Sequence, residues 1–412
     1  MQLLIIFNSI IFLITCPEAN SQSSETDKQD RNQKLQSIEA KPSNTSSSDS
    51  GSIRDVRFER EASFGSTDEK LLGVIRTIEV DDQNRVFIAD QTQKTIVVYQ
   101  PDGSFLTSLG REGQGPAEFG TLYRSMMVIH DNRLYVTDTH GYFPHRAHVY
   151  RLDDLSFSHT INLESVNKDD YKELEAHYAD HIYPLSDGTY LMAYTTRKRK
   201  SESFIYYVIQ DDSGKIMSEP LFELQNLTYR YTVVTDGLAN YEAFAPLPFF
   251  GKSLLAVSSE NQLYIVKDTR KFEIDVYNLE GMHTHSFRHS FTNKPMDRRQ
   301  LIKQYKHDED LAGLGDGVAA EIIEEIDDLP DTWPALESMI IDDEDRLWIA
   351  TITDKLDIHE WWVLTSTGEV ITKFEWPQNE PIETVRNGYM YTVETEEETG
   401  LEEVIRYKIH MD

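Results

Sequence analysis

The sequence predicts an all-β protein, a six-bladed β-propeller of four-stranded antiparallel blades, and three observations predict it. From about residue 52 apolar residues recur with a period of two, in short β-branched and aromatic runs separated by Asp, Asn and Gly turns. These runs fall into six sets spaced by about 40 to 80 residues, and repeats that cannot bury both faces alone stack around an axis. The last set stops at its third strand, while "IRDVRFEREA" (53–62) stands unpaired ahead of the first. The N-terminal strand is therefore expected to complete the final blade and close the ring, protecting the sheet edges.

Along the chain, "LLIIFNSIIFLIT" has the length of a signal-peptide apolar core and is too short to span a bilayer. Residues 1–16 thus read as a signal peptide ending in "LITC". That places the single cysteine, Cys16, where bacterial lipoproteins are cleaved and acylated, a resemblance to the lipobox from which Thr15 departs. Lipidation of Cys16, plain secretion and a structural cysteine remain open. Residues 17–51 are rich in Ser, Asn, Gln and charge, cannot offset the entropy of ordering, and read as a disordered tether. The propeller is assigned to 52–412.

Six hairpins start the blades: 76–90, 124–138, 180–194, 252–267, 337–351 and 383–393, with Phe87, Tyr135, Leu191, Tyr264, Trp348 and Tyr391 in the equivalent central place. Third strands such as "TIVVYQPDG" and "IDVYNLEG" follow, then a DG, EG or TG turn into a fourth. The glycine-rich "GREGQGPAEFG" (110–120) falls between the outer strand of one blade and the inner strand of the next. Corner-turning suits it better than phosphate binding, since no helix opens there and no Lys-Ser or Lys-Thr follows. "GYFPHRAH" (141–148) reads as a loop between a second and a third strand. Long links run from 161 to 179, from 220 to 251 and, with helical spacing, from 289 to 336. Tyr229, Tyr231, Tyr241, Phe244, Phe249 and Phe250 in the second either stack on a ligand or fill the underside of a cap.

The pattern resembles the NHL-repeat and TolB-like six-bladed propellers, especially the exported propeller lipoproteins of Bacteroidota and related bacteria. "DDQNRVFIADQTQKTIVVYQPDGSFLTSLGREGQGPAEF" and "DDEDRLWIA" carry the resemblance, and the first blade matches best. It implies an extracytoplasmic site of action: a cell-envelope, lipid-anchored, or periplasmic or secreted protein.

Composition narrows the partners. With 71 acidic against 40 basic residues and a net charge of -31, the chain is a poor match for nucleic acid, and the "RKRK" at 197–200 reads as a solvated loop. Membrane contact is expected only through a lipid anchor at Cys16, and the protein is expected to be a monomer. Aligning the six inner strands gives a column of a charged residue followed by Ser, Thr or His: Arg76-Thr77, Arg124-Ser125, Asp180-His181, Lys252-Ser253, Glu337-Ser338 and Glu383-Thr384. Arg76, Arg124, Asp180, His181, Lys252, Glu337 and Glu383 are the candidate ligand-binding residues, a collar suited to a small polar ligand or an envelope protein. The alternative is that these charges pair with one another around a solvated hole. No cofactor is expected, with calcium on Asp180, Glu337 and Glu383 oxygens as the alternative. Lactonase-like relatives hold calcium and lyase-like relatives zinc, but Arg76 and Arg124 oppose a cation, "HTHSFRH" (283–289) is a weak metal pattern, and no nucleophile elbow occurs. The expected function is therefore non-catalytic binding at the channel mouth and the long-loop face, with a metal-assisted hydrolase or lyase as the alternative.

Overall fold

Val86–Asp90 and Thr95–Tyr99 are buried at every position. A strand achieves that only where its sheet is covered on both faces. The computed structural model describes residues 54–411 except 66–69, 123–125, 141–142, 176, 197–202, 227–228, 236–238, 246, 248, 306–319, 321–322, 325, 328, 356 and 397–399, and for some strand and helix residues the backbone alone. Six four-stranded antiparallel sheets supply that cover. Their inner strands are Ile75–Val80, Met127–His130, His177–Pro184, Leu254–Val257, Leu336–Ile341 and Ile382–Arg386. Blades 1 to 5 follow the chain outward from the inner strand. In blade 6 the fourth place is taken by Val56–Phe64, paired antiparallel with Glu402–Met411 from Val56 opposite Met411 to Phe64 opposite Val404. The expected closure of the ring by the N-terminal strand is what the register shows.

The cores lie between blades. Phe87 packs with Leu134 and Val136 of blade 2, Tyr135 with Ile182 and Met192 of blade 3, and Leu191 with Leu263 and Ile265 of blade 4. Tyr264 packs with Leu347 and Ile349 of blade 5, Trp348 with Met390 and Ile405 of blade 6, and Tyr391 with Ile88 and Val97 of blade 1. Each of these six side chains is at most 5% exposed and faces the following blade. Burial of such a side chain contributes about 1.5–3 kcal/mol, so each junction is driven chiefly by apolar burial.

The inner hairpin turns share one device: a residue in the left-handed region at Asn84, Asn132, Gly188, Asn261, Asp345 and Asn387, with φ from 46° to 83° over these turns. Asn, Asp and Gly tolerate that conformation, which explains the recurrent turn composition. In "DDQNR", Asp81 accepts from the Gln83 and Arg85 N–H groups and from Arg85 Nε at 2.6 Å. In "DDEDR", Asp342 does the same for Glu344, Arg346 and Arg346 Nε at 2.7 Å. These two motifs fix turns.

The glycine run turns a corner, as expected. Gly110 has φ +73°, and a Cβ there would meet the Phe119 ring at 2.3 Å. Phe119 is fully buried. Glu118 closes the loop by accepting from the Gly115 N–H at 2.9 Å and from Arg111 at 2.7 Å, leaving its oxygens committed. Asp138, at the end of the second strand of blade 2, accepts from the Gly120 N–H at 2.9 Å, as Asp90 does from Gly73 in blade 1.

One sequence reading is corrected. Phe143–Arg151 is the third strand of blade 2, so Pro144 to His148 belong to a strand. His148 is fully buried, with Nδ1 3.0 Å from Thr160 Oγ1 and Nε2 2.9 Å from the Glu118 carbonyl. Its ring is satisfied by the outer strand of its own blade and by the glycine-rich link, the latter a long-range contact that sequence alternation does not reveal. In the long links, Tyr229–Thr235 and Ala239–Ala245 form a separate hairpin and Arg298–Tyr305 a helix. Phe249, Leu301, Ile323, Ile326 and Trp333 cluster with Ile352 of blade 5. Phe249 and Phe250 thus contribute to a cap core, whereas the side chains of Tyr229, Tyr231, Tyr241 and Phe244 lie outside the described residues.

Candidate ligand site at the channel mouth

The inner strands all start at the rim carrying the blade-to-blade links, and four of them break register within their first residues. In blade 1, Ile75 faces Asp90 and Ile78 faces Ile88, so Arg76 and Thr77 together oppose Ala89. Asp180 is the extra residue between Ala179 and His181, Glu337 between Leu336 and Ser338, and Glu383 between Ile382 and Thr384. A β-bulge gives up ladder pairing and re-aims a side chain. Here, in blades 1, 3, 5 and 6, the bulge falls on the charged member of the predicted column. In blade 4, Lys252 is held by its N–H donating to Thr269 Oγ1 at 2.9 Å and its carbonyl accepting from the Thr269 N–H at 2.9 Å. Arg124 lies outside the described residues.

The collar divides into small groups. Lys252 Nζ and Glu337 Oε1 are 2.7 Å apart across blades 4 and 5. Beside them His359 is pushed below the usual imidazole range by burial, the Lys252 charge adding to this against the pull of Glu337. Asp180 Oδ2 lies 3.0 Å from His181 Nδ1, and the imidazole is half-exposed although enclosed among the blades. Burial opposes its charge, but Asp180 outweighs burial through its own charge and hydrogen bond, so the His181 pKa is raised. Tyr183 stacks on that ring at 6.3 Å and 14°. Burial first and the Asp180 charge second push the Tyr183 phenol up, as burial, Tyr183 and Asp180 do for Tyr207, so both stay neutral hydroxyls. Arg76 bonds Gln91, in the loop after its partner strand.

Two carboxyls behave differently. Burial alone pushes Glu383 up to about 7. Burial likewise pushes Glu79, toward the turn end of the inner strand of blade 1 and so away from the mouth, to about 7, against the attraction of Arg386 in the neighbouring blade. Near neutral pH each is divided between acid and carboxylate, and can both donate and accept. Of the predicted residues, then, the structure joins Lys252 to Glu337 and Asp180 to His181, and sets Arg76 and Glu383 at the same bulge in adjacent blades 1 and 6. Sequence reasoning missed Glu79, Tyr183 and His359. Only Glu79 carried a signal, an acid between the buried aliphatics Ile78 and Val80.

Among the described residues no group of three or more His, Cys, Asp or Glu side chains is placed to hold a metal ion. The histidines of 283–289 disperse: His283 bonds Ser286 at 2.7 Å, while His289 bonds the Gly368 carbonyl at 2.9 Å. No helix among the described residues is long and apolar enough to cross a membrane.

A family model agrees with this architecture. The sequence model of the DUF5128 family, described as "6-bladed beta-propeller", matches residues 31–233. This chain is a six-bladed β-propeller. A protein of Bacteroides fragilis described as exported is 13% identical, with a TM-score of 0.49, the match covering 90% of the propeller chain and 98% of that chain. A duf4221-family protein of Bacteroides vulgatus is 9% identical, TM-score 0.49, covering 87% and 99%. Virginiamycin B lyase of Staphylococcus aureus is 13% identical, TM-score 0.37, covering 82% of each. No functionally curated protein matches the propeller.

Proposed function

We propose that the propeller acts outside the cytoplasm and binds a small polar ligand, or a polar segment of an envelope protein, at the mouth of its channel without transforming it. The observation that carries this reading is the repeated bulge: four blades each place their extra inner-strand residue at Arg76, Asp180, Glu337 or Glu383. A packed core gains nothing from such a residue, whereas a ligand site gains convergent side chains on rigid strands. The imidazole of His181, the hydroxyl of Tyr183 and the carboxyl of Glu383 supply donors and acceptors for hydroxyls, amines or a zwitterion, and Arg76 supplies a cation for a carboxylate. Export is supported by the apolar N-terminal run, and a lipid anchor at Cys16 by the "LITC" sequence. A thermal-shift screen of the full chain with amino acids, mono- and disaccharides and polyamines tests the reading, with hits titrated calorimetrically against Arg76→Ala, His181→Ala and Glu383→Gln. Hits whose affinity falls in these variants sustain it. Unchanged affinity removes the collar, and turnover of a hit overturns the non-catalytic assignment.

A further inference from the structure

A second concavity lies at the opposite rim, where the hairpin turns gather, and is independent of the channel mouth. It is an open cleft of about 560 Å³ between blades 5 and 6, within the roughly 300–1,000 Å³ typical of ligand sites. Its floor is apolar. Ile371, from the outer strand of blade 5, and Ile409 and Met411, from blade 6, are half-buried, packed on the Trp348–Trp376 core below and open to the cleft above.

Its lip is cationic. Arg54 lies just ahead of the closing strand Val56–Phe64, and its main chain is pinned at two points: the N–H donates to the Ile371 carbonyl at 3.0 Å, and its carbonyl accepts from Thr372 Oγ1 at 2.7 Å. The side chain therefore starts from a fixed place on the cleft wall, exposed, and no carboxylate pairs with it among the described residues. In a chain of net charge -31 such a cation is conspicuous. Arg346, also on the wall, is neutralised by Asp342 at 2.7 Å and Glu344 at 3.1 Å, so Arg54 is the uncompensated charge of the lining. The hydroxyls of Thr365 and Ser366 on the neighbouring turn complete the polar side.

We propose that this cleft binds an anionic amphiphile, a carboxylate or phosphate monoester on a short apolar chain, with the head on Arg54 and the chain over Ile371, Ile409 and Met411. A guanidinium with free donors at the edge of an apolar floor meets both ends of such a molecule, and neither a sugar nor a bare cation matches it. Calorimetric titration of the full chain below the micellar range tests this with four probes: octyl phosphate, decanoate, inorganic phosphate and octyl glucoside. Octyl phosphate and decanoate are expected to bind, inorganic phosphate at least tenfold more weakly, and octyl glucoside not measurably. Arg54→Gln is expected to weaken octyl phosphate on the order of tenfold, while Arg57→Gln, at an exposed cation three residues on in the closing strand, leaves it unchanged. Equal binding by Arg54→Gln, equal affinity for inorganic phosphate or octyl glucoside, or no binding of either anionic amphiphile overturns the proposal.

Discussion

The two rims of the ring are built on different principles. At the turn rim, neighbouring blades are stitched together by polar bonds. Asn261 Nδ2 reaches Ser186 Oγ at 3.2 Å from blade 4 to blade 3, and Ser259 meets Asp345 at 3.0 Å from blade 4 to blade 5. The Asn387 N–H meets Asp343 at 2.9 Å from blade 6 to blade 5, and Arg386 meets Asp82 at 2.7 Å from blade 6 to blade 1. At the link rim the one ion pair described between collar residues of different blades is Lys252–Glu337, Glu402 of blade 6 accepts from the Ile75 N–H of blade 1 at 2.7 Å, and the other described collar charges are held within a blade or left to burial. Polar groups at the first rim are spent on fixing blades to one another. Those at the second include groups whose protonation burial has displaced, a cost that stability alone does not explain. The contrast teaches that polar bonding between blades is concentrated at the turn ends of the strands.

That contrast can be broken by measurement. The largest effect is expected at Glu383. Its folded pKa of about 7 stands above the ordinary 4.5 of a glutamate, so the native state holds the proton longer than the unfolded chain. Its contribution is therefore fully present at low pH and is lost as pH rises through about 7. Glu383→Gln should raise unfolding free energy at pH 8 by up to about 3 kcal/mol and change it little at pH 5. Denaturant curves at the two pH values check this, and equal effects at both would remove the displaced carboxyl from the account.

Next comes the stitched rim. Asn387 holds φ +55° and donates from Nδ2 to the Asp81 carbonyl and to Asn84 Oδ1, both at 2.9 Å. Asn387→Ala should cost about 2 kcal/mol, the sum of the lost bonds and a left-handed conformation that Ala resists. Smaller still, Lys252→Met at the link rim should cost under about 1 kcal/mol, because the pair it breaks is partly solvated. A Lys252→Met loss as large as that of Asn387→Ala would erase the distinction between the rims. The finest test is spectroscopic. The His181 imidazole should titrate above an ordinary histidine by NMR, and Asp180→Asn should bring it down, since the carboxylate is what holds the proton. No change in Asp180→Asn would separate the two residues.

The fold was largely legible because its signals are local. Alternation, "DG" turns and Asn84, Asn261 or Asp345 at hairpin tips specify strands and turns residue by residue. The central residues of the hairpins, five aromatics and Leu191, were recognisable as equivalent, and the structure gives them one role, since each covers the following blade. The candidate site was legible only as a column of charged residues. Which of its members meet, as Lys252 does Glu337 across 85 positions of chain, depends on how far the ring turns between blades. Glu79 was passed over because its displaced equilibrium comes from burial in the closed ring, which outweighs the opposing attraction of Arg386, about three hundred residues away.

By itself, then, the sequence determined the repeating unit, the number of units and the strand that closes them, because strand period and turn chemistry act over a few residues. Only the tertiary structure decided which charges share a neighbour, which carboxyls lose their water, and that a cleft opens beside Arg54. Desolvation and charge coupling depend on distances between chain segments remote in sequence, and those distances exist only once the ring has closed.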